Sequence, residues 1–281
     1  MAEIEKLRED FHRSVCLEAI FLKSGSTPSI ADTSSNLSRS LACGIVDALD
    51  YPISCEAIRA QTAGKRFETA VRDYIQSAMD VLVHLRPGNW IYSVDSDISE
   101  FVQYQHLATL NELIQTNKDA HTALGDYVVK PDVIVARTSV SDEAINRHAV
   151  IVHETGYPYF TPLRSTHQKE AVRILHASIS CKLTIRSDRS QNARTEGLNL
   201  IRNRKGHTPH IAVVTAEPMP TRIASLALGT GDIDCVYHFS LHELVQVAKE
   251  IGNEAVEDSL NTMIVGNRLR DIADLPFDLV T

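Results

Sequence analysis

The chain has 281 residues, 43% of them hydrophobic, which is enough to bury a substantial core. Its formal net charge of −8 argues against a protein that coats nucleic acid over its whole surface, since neutralising phosphates normally leaves a basic imprint. The opening MAEIEKLREDFHR is charged and lacks an apolar leader core, and no later apolar run approaches the ~18 residues of a spanning helix, so a cytoplasmic protein with no membrane partner is expected.

Five cysteines, Cys16, Cys43, Cys55, Cys181 and Cys235, are scattered and form no CxxC pair, so buried thiols are expected rather than a disulfide framework or a zinc site. The 12 histidines show no HExxH or comparable spacing, and His207 and His210 flank a turn proline.

In chain order, residues 3 to 22 carry apolar positions at helical spacing. The loop GSTPSIADTSS follows, then a second helix over LSRSLACGIVDALD. A third is predicted over 66 to 86, with Phe67, Val71, Tyr74, Ala78 and Val81 on one face, before Pro87-Gly88 stops it. Glu68 falls in its first turn on this reading. A further helix is predicted over 98 to 117. From about residue 131 the period becomes that of strands: DVIVA (132 to 136), ILHASISCKLTI (174 to 185), HIAVVTA (210 to 216) and IDCVYHF (233 to 239). Helical stretches at 190 to 204, 240 to 250 and 256 to 273 separate or follow them. Helices packed on a short mixed sheet make an α/β fold the expectation, as one domain over 1–281 with a mainly helical region to about 120 and a core from 121 onward.

The strand from Leu175 to Ile185 alternates apolar residues with His176, Ser178, Ser180, Lys182 and Thr184, so Ser180 and Lys182 point the same way, roughly 6.6 Å apart. A lysine there is commonly a solvent-facing edge residue. Asp132, opening the strand VIVA after Pro131, can supply a carboxylate beside it, although a Pro-Asp pair before an apolar run is usually just a turn. Hydrolysis of a phosphodiester needs these groups together: hard oxygens to hold Mg²⁺, and a lysine near the nucleophile and the developing charge. Between 182 and 205, seven basic residues stand against two acidic ones, a local +5 that leaves the rest of the chain at −13. Such a segment can bind a polyanion, or can simply be a solvated helix face.

A Pro-Asp strand followed by a strand ending in Ser-Cys-Lys resembles the PD-(D/E)XK nuclease core, with Ser180 where the second acid normally stands. The run SISCKLTIRSDRSQNARTEGLNLIRNRKG, together with PHIAVVTAEP and ALGTGDIDCVYHF, is similar to the CCGG-recognising branch of type II restriction endonucleases, above all to its GCCGGC-cutting members. The likeness runs from about residue 29 to the C-terminus and is poorest at 138 to 170 and before 25. It implies a restriction-endonuclease-like core, a mixed sheet of five strands flanked by helices, behind an N-terminal helical region.

The resemblance further implies that Asp132 ligates metal directly, that the backbone carbonyl of Cys181 is a second ligand, that Lys182 is catalytic, and that Glu68 and Glu196 act through bound water around a pair of Mg²⁺ ions. Taken alone, Glu68 reads equally as a first-turn residue favoured by the helix dipole, and Glu196 as an exposed helix carboxylate. Arg186, Asp188 and Arg189 lie between the catalytic strand and the next helix. Arginine can donate twice to guanine and aspartate can accept from cytosine N4, although Asp188 also reads as a helix cap. The family uses these positions for the inner CCGG, those matching Asp32 and Arg222 for the outer G·C pair, and that matching Gln61 in the minor groove. It also implies double-stranded DNA as partner, a homotetramer built as a dimer of dimers, cutting before CCGG with four-base 5′ overhangs, and a prokaryotic cytoplasm.

Gly229-Thr230-Gly231 does not make a dinucleotide fold, because Asp234 stands where glycine is needed, so no nucleotide cofactor is expected. The rival readings are a less specific repair or recombination nuclease of the same fold, which Arg186-x-Asp188-Arg189 weighs against, and a non-catalytic site-specific DNA-binding module, which Asp132, Lys182 and Glu196 weigh against.

Overall fold

A computed structural model describes residues 1–23, 26–119, 122, 129–168, 172–229 and 231–281, with only the backbone described at 187–190. Its centre is a sheet of six strands in the order in which they occur along the chain: β3 (Trp90–Val94), β4 (Val133–Thr138), β5 (Arg173–Lys182), β6 (His210–Thr215), β7 (Cys235–His238) and β8 (Leu269–Asp271). A separate two-stranded ribbon, β1 (Leu22–Lys23) with β2 (Thr27–Pro28), lies outside it. β3, β4 and β5 pair antiparallel, and β5 through β8 pair parallel, so the sheet is mixed as expected. It has one strand more than the five expected.

β3 lies within the region read as mainly helical. WIYSV is short, sits at the sheet edge and is only half buried, so it carries little of the apolar signal that marks a strand. The segment read as one helix over 98 to 117 is instead two 3₁₀ turns, Ile98–Glu100 and Gln105–Leu107, running into α4 (Ala108–Thr116).

The helices are α1 (Glu3–Glu18), α2 (Asn36–Leu49), α3 (Ala60–Val81), α4, α5 (Asp142–Ile145), α6 (Ser187–Asn203), α7 (Pro220–Ala227), α8 (Leu241–Ile251), α9 (Glu254–Val265) and α10 (Leu275–Val280). α3 starts six residues before the predicted position 66 because its buried stripe extends back through Ala63, and Gly64 is tolerated inside it. Glycine in a helix costs about 1 kcal/mol against alanine, too little to end one that buries Phe67, Val71, Tyr74 and Ala78. Glu68 therefore sits in the third turn rather than the first, and the helix-dipole account of it falls. Val81, expected on the buried face, is exposed.

One apolar cluster runs from Phe11 and Val15 of α1 through Phe67 and Val71 of α3 to Ile179 of β5, Val214 of β6 and Leu279 of α10. A smaller one, with Phe101, Tyr104, Ile134 and Leu200, covers the other face. Both faces of β5 are thus covered, so His176 and Ser178, read as a polar face, are buried. α6 is seated by Gly197, where a Cβ would run into the carbonyl oxygen of Asp232 before β7. That close approach fixes the helix that carries Glu196.

Candidate active site and DNA-reading cleft

The antiparallel pairing of Val133 with Ile179 sets Asp132, one residue before β4, beside the last turn of the pleat in β5. There its Oδ2 accepts the backbone N–H of Cys181 at 2.7 Å, the Nζ of Lys182 at 2.9 Å and the hydroxyl of Ser180 at 3.3 Å. The period of two in β5 puts Ser180 and Lys182 on the same side, and the amide between them points along the sheet to the same oxygen. Lys182 is not a solvent-facing edge residue: its side chain is 15% exposed, and that of Asp132 23%.

Two further carboxylates act on this pair. Glu68 reaches it from α3: burial pushes its pKa up first, and the negative charges of Asp132 and Asp95 push it further, against the opposing pull of Lys182. Glu196 reaches it from α6: burial again raises its pKa most, Lys182 opposes this, Asp132 adds to it, and a hydrogen bond with Ser180 lowers it. Burial lowers the pKa of Lys182, but Asp132 by charge and hydrogen bond, and then Glu196, more than compensate, so the ammonium is held above its ordinary value. Three carboxylates thus crowd the Lys182 ammonium, and only Glu68 feels a second one, Lys65, beside it. The Cys181 thiol is buried and its pKa is pushed well above the ordinary value by burial, which leaves the main chain as this residue's contribution.

Among the described residues no three His, Cys, Asp or Glu side chains stand close enough to enclose an ion directly. The donors gathered here, the carboxylates of Asp132, Glu68 and Glu196 and the main-chain oxygen of Cys181, are hard oxygens of the kind a divalent cation such as Mg²⁺ takes.

Beyond the end of β5 lies a cleft of about 590 Å³ lined by Lys23, Asp32, Thr184, Arg186 and Arg222, among others. Arg222 of α7 donates to Asp32, whose other oxygen accepts the N–H of Ser34 at 3.0 Å and its hydroxyl at 2.7 Å. These bonds, those from Ser34 foremost, hold the Asp32 carboxyl below the usual range. Arg186 is the N-cap of α6, which begins at Ser187, so Asp188 sits in the first turn and not at the cap. The side chains of Asp188 and Arg189 lie outside the described residues. Gln61 lies at the start of α3, in a separate shallow groove with Lys65 and Arg66.

The structure therefore brings together Asp132, Ser180, Cys181, Lys182, Glu68 and Glu196 in one place, and Asp32, Arg186 and Arg222 in a second place reached along the same strand. Sequence reasoning missed Lys23, whose Nζ donates to the carbonyl of Ser29 at 2.7 Å while lining the cleft. It also missed Asp95, at φ 59° and paired with Lys65, and Glu217, a wholly buried carboxylate after β6. Only the run AEP marked Glu217, and nothing in that run distinguishes a buried acid from an exposed one.

The family model described as NgoMIV restriction enzyme matches residues 11–281. The chain is 48% identical over 255 residues to the type II restriction enzyme NgoMIV of Neisseria gonorrhoeae, across 89% of this chain and 88% of that one. A solved structure, a restriction endonuclease PspGI complex with substrate DNA, superposes with a TM-score of 0.36 at 16% identity, over 78% of this chain and 61% of that one.

Proposed function

The chain belongs to the NgoMIV restriction enzyme family and is a type II restriction endonuclease, and from that premise we propose that it cuts duplex DNA at GCCGGC, before CCGG, leaving four-base 5′ overhangs. The observation that carries the placement of the chemistry is the convergence of Lys182 and Cys181 on one oxygen of Asp132, with Glu68 and Glu196 raised in pKa around it. A single domain spanning 1–281 carries both cutting and reading.

In this reading Asp132 and the carbonyl of Cys181 would hold Mg²⁺ directly, and Glu68 and Glu196 would act through water around a pair of such ions. Bound Mg²⁺ supplies polarisation of the scissile phosphate and a more acidic water. Lys182, its ammonium held 2.9 Å from Asp132, would face the charge that develops on the phosphate oxygens. Ser180 stands where a second acid would otherwise be, and its hydroxyl is within hydrogen-bonding reach of both Asp132 and Glu196.

Recognition is assigned to the cleft. Arg186 and Arg189 donate to guanine and Asp188 accepts from cytosine N4 at the inner pairs, while Arg222 and Asp32 read the outer G·C pair. Already paired with each other, Asp32 and Arg222 present one donor and one acceptor side by side, which matches the edges of a G·C pair. Gln61 reaches the minor groove.

A palindrome is read by a two-fold dimer, and the assembly proposed is a homotetramer, a dimer of dimers, working in a prokaryotic cytoplasm without a nucleotide cofactor. Segment 138–168 supports further assembly. Arg164, 1% exposed, binds Asp142 and the carbonyls of His153, Gly156 and Pro158, so the loop is held together while Tyr157 and Phe160 stand 92% exposed. No helix among the described residues is long and apolar enough to cross a membrane.

The test is a plasmid digest with and without Mg²⁺, followed by sequencing of the fragment ends. Discrete Mg²⁺-dependent fragments ending in 5′-CCGG are expected. A smear would support a less specific nuclease, and binding without cutting a non-catalytic module.

A further inference from the structure

We propose that Glu217 is a positioning residue for specificity, holding the loop that carries Arg186 and the helix that carries Arg222 in one register with each other and with Lys182. This rests on the recognition roles proposed above for the two arginines.

Glu217 follows β6 in the turn Glu217-Pro218-Met219 and has no exposed surface. Its Oε2 accepts the backbone N–H of Ile185 at 2.8 Å, one residue before Arg186. Its Oε1 accepts the N–H of Met219, the N-cap of α7, at 3.1 Å, and stands 3.8 Å from Nη1 of Arg222. One carboxylate therefore terminates both reading elements. Its own backbone is tied to the catalytic strand, because the Glu217 N–H donates to the hydroxyl of Thr215 at 3.1 Å, and that hydroxyl donates to the carbonyl of Lys182 at 2.7 Å. The Glu217 carbonyl is held in turn by Nε2 of His238 at 3.2 Å. Hydrogen bonds thus tie Glu217 to the main chain of Lys182, and a 3.8 Å ion pair links its carboxylate to the side chain of Arg222.

Burying a carboxylate is unfavourable unless donors surround it. Burial does push the Glu217 pKa up, and what opposes this is the set of amides of Ile185 and Met219 and the charge of Arg222. Every one of those compensating groups belongs to a reading element. Filling the space alone would need only an apolar side chain, so the acid is accounted for by what it grips. Arg222 is held at Nη2 by Asp32 and faces Glu217 at Nη1. When Asp32 turns to cytosine, Glu217 keeps the guanidinium aimed at guanine.

The experiment is metal-free equilibrium binding at one salt concentration to three duplexes: GCCGGC, an outer-pair substitution and an inner-pair substitution. The proteins are wild type, Glu217→Gln and Leu260→Ala, the last a core truncation in α9. Glutamine keeps the size but turns an NH₂ toward one of the two backbone N–H groups. Selectivity for GCCGGC should fall about tenfold or more at both outer and inner positions in Glu217→Gln, with affinity for the substituted duplexes little changed. Leu260→Ala should lower the melting temperature and keep the wild-type selectivity. Glu217→Asp, which keeps the charge but draws the oxygens back, should shift selectivity in the same direction and serves if the glutamine variant does not fold. Wild-type selectivity in both Glu217 variants, or equal loss of selectivity in Leu260→Ala, overturns the inference and leaves the recognition reading standing. A wild-type protein that binds all three duplexes alike removes both.

Discussion

Lys182 donates its ammonium to Asp132 at 2.9 Å across the β4–β5 pair. The ammonium also balances Glu68 and Glu196, so the two halves of the pair are not equivalent.

Both Asp132→Ala and Lys182→Ala should abolish cleavage, with rates down by about a thousandfold or more, which is roughly 4 kcal/mol of transition-state stabilisation. Both should still bind GCCGGC. Their stabilities should diverge. Asp132→Ala relieves a cluster of like charges, whereas Lys182→Ala strips three carboxylates of their shared cation and should cost about 1–3 kcal/mol. Single-turnover digestion and thermal melts on the two variants decide this. Cutting at near-normal rates by either one would remove the active-site assignment.

Much of this was legible because its causes are local. Alternation in β5 places Ser180 beside Lys182, and an aspartate at the mouth of β4 needs only an adjacent, antiparallel partner to reach them. What could not be read was set by contacts between distant segments. The start of α3, and with it the place of Glu68, depends on how far Ala63 is buried, and a glycine at 64 hides that. β3 is an edge strand whose residues are all half buried, so its pattern carries no clear period. Glu217 is invisible because its donors, Ile185 and Met219, are backbone amides, and an amide carries no sequence signature.

Stability should fall on mild acidification. His176 and His238 are buried, and burial foremost pulls both pKa values down from 6.5 to about 4. His238 Nδ1 accepts the N–H of Ser240 at 3.2 Å, so a protonated ring would set donor against donor. The folded state keeps these rings neutral while the unfolded chain protonates them. Their contribution is therefore complete above about pH 6.5 and is lost as pH falls toward about 4, on the order of 2 kcal/mol for each by pH 5. Urea unfolding from pH 8 to 5 should show this decline, and His176→Phe should flatten it by about 1.4 kcal/mol per pH unit below 6.5. Parallel curves for wild type and variant would clear His176 of any part in it.

Assembly should depend on the loop held by Arg164. Light scattering should give a tetramer, and DNA with two sites should be cut faster than DNA with one. Replacing Tyr157 and Phe160 together by serine should shift the particle toward a dimer with little change in the melting temperature of the fold, since both side chains are 92% exposed in the monomer. A wild-type dimer with equal rates on the two substrates would refute the tetramer, and an unchanged tetramer in the variant would place its interface elsewhere.

Specificity should divide between the residues at the start of α6 and Arg222 of α7. Arg186→Ala should cost about 1–3 kcal/mol of discrimination at the inner pairs, because a guanine edge is left without its two donors, and Arg189→Ala should behave likewise. Asp188→Ala removes an acceptor for cytosine N4 and also a negative charge near phosphate, so total affinity should change little while selectivity falls. Arg222→Ala should relax the outer pair alone. It also strips Asp32 of its ion-pair partner and Glu217 of its nearest cation, and an unpaired Asp32 facing the cleft should repel the DNA backbone. Asp32→Ala in the same chain should then recover non-specific affinity but not outer-pair discrimination. Binding to GCCGGC and to each singly substituted duplex, at one fixed salt concentration, separates these cases. Uniform weakening across all duplexes in Arg186→Ala and Arg189→Ala, and in Arg222→Ala combined with Asp32→Ala, would show that the arginines hold phosphates, and the cleft would lose its place as the reading site.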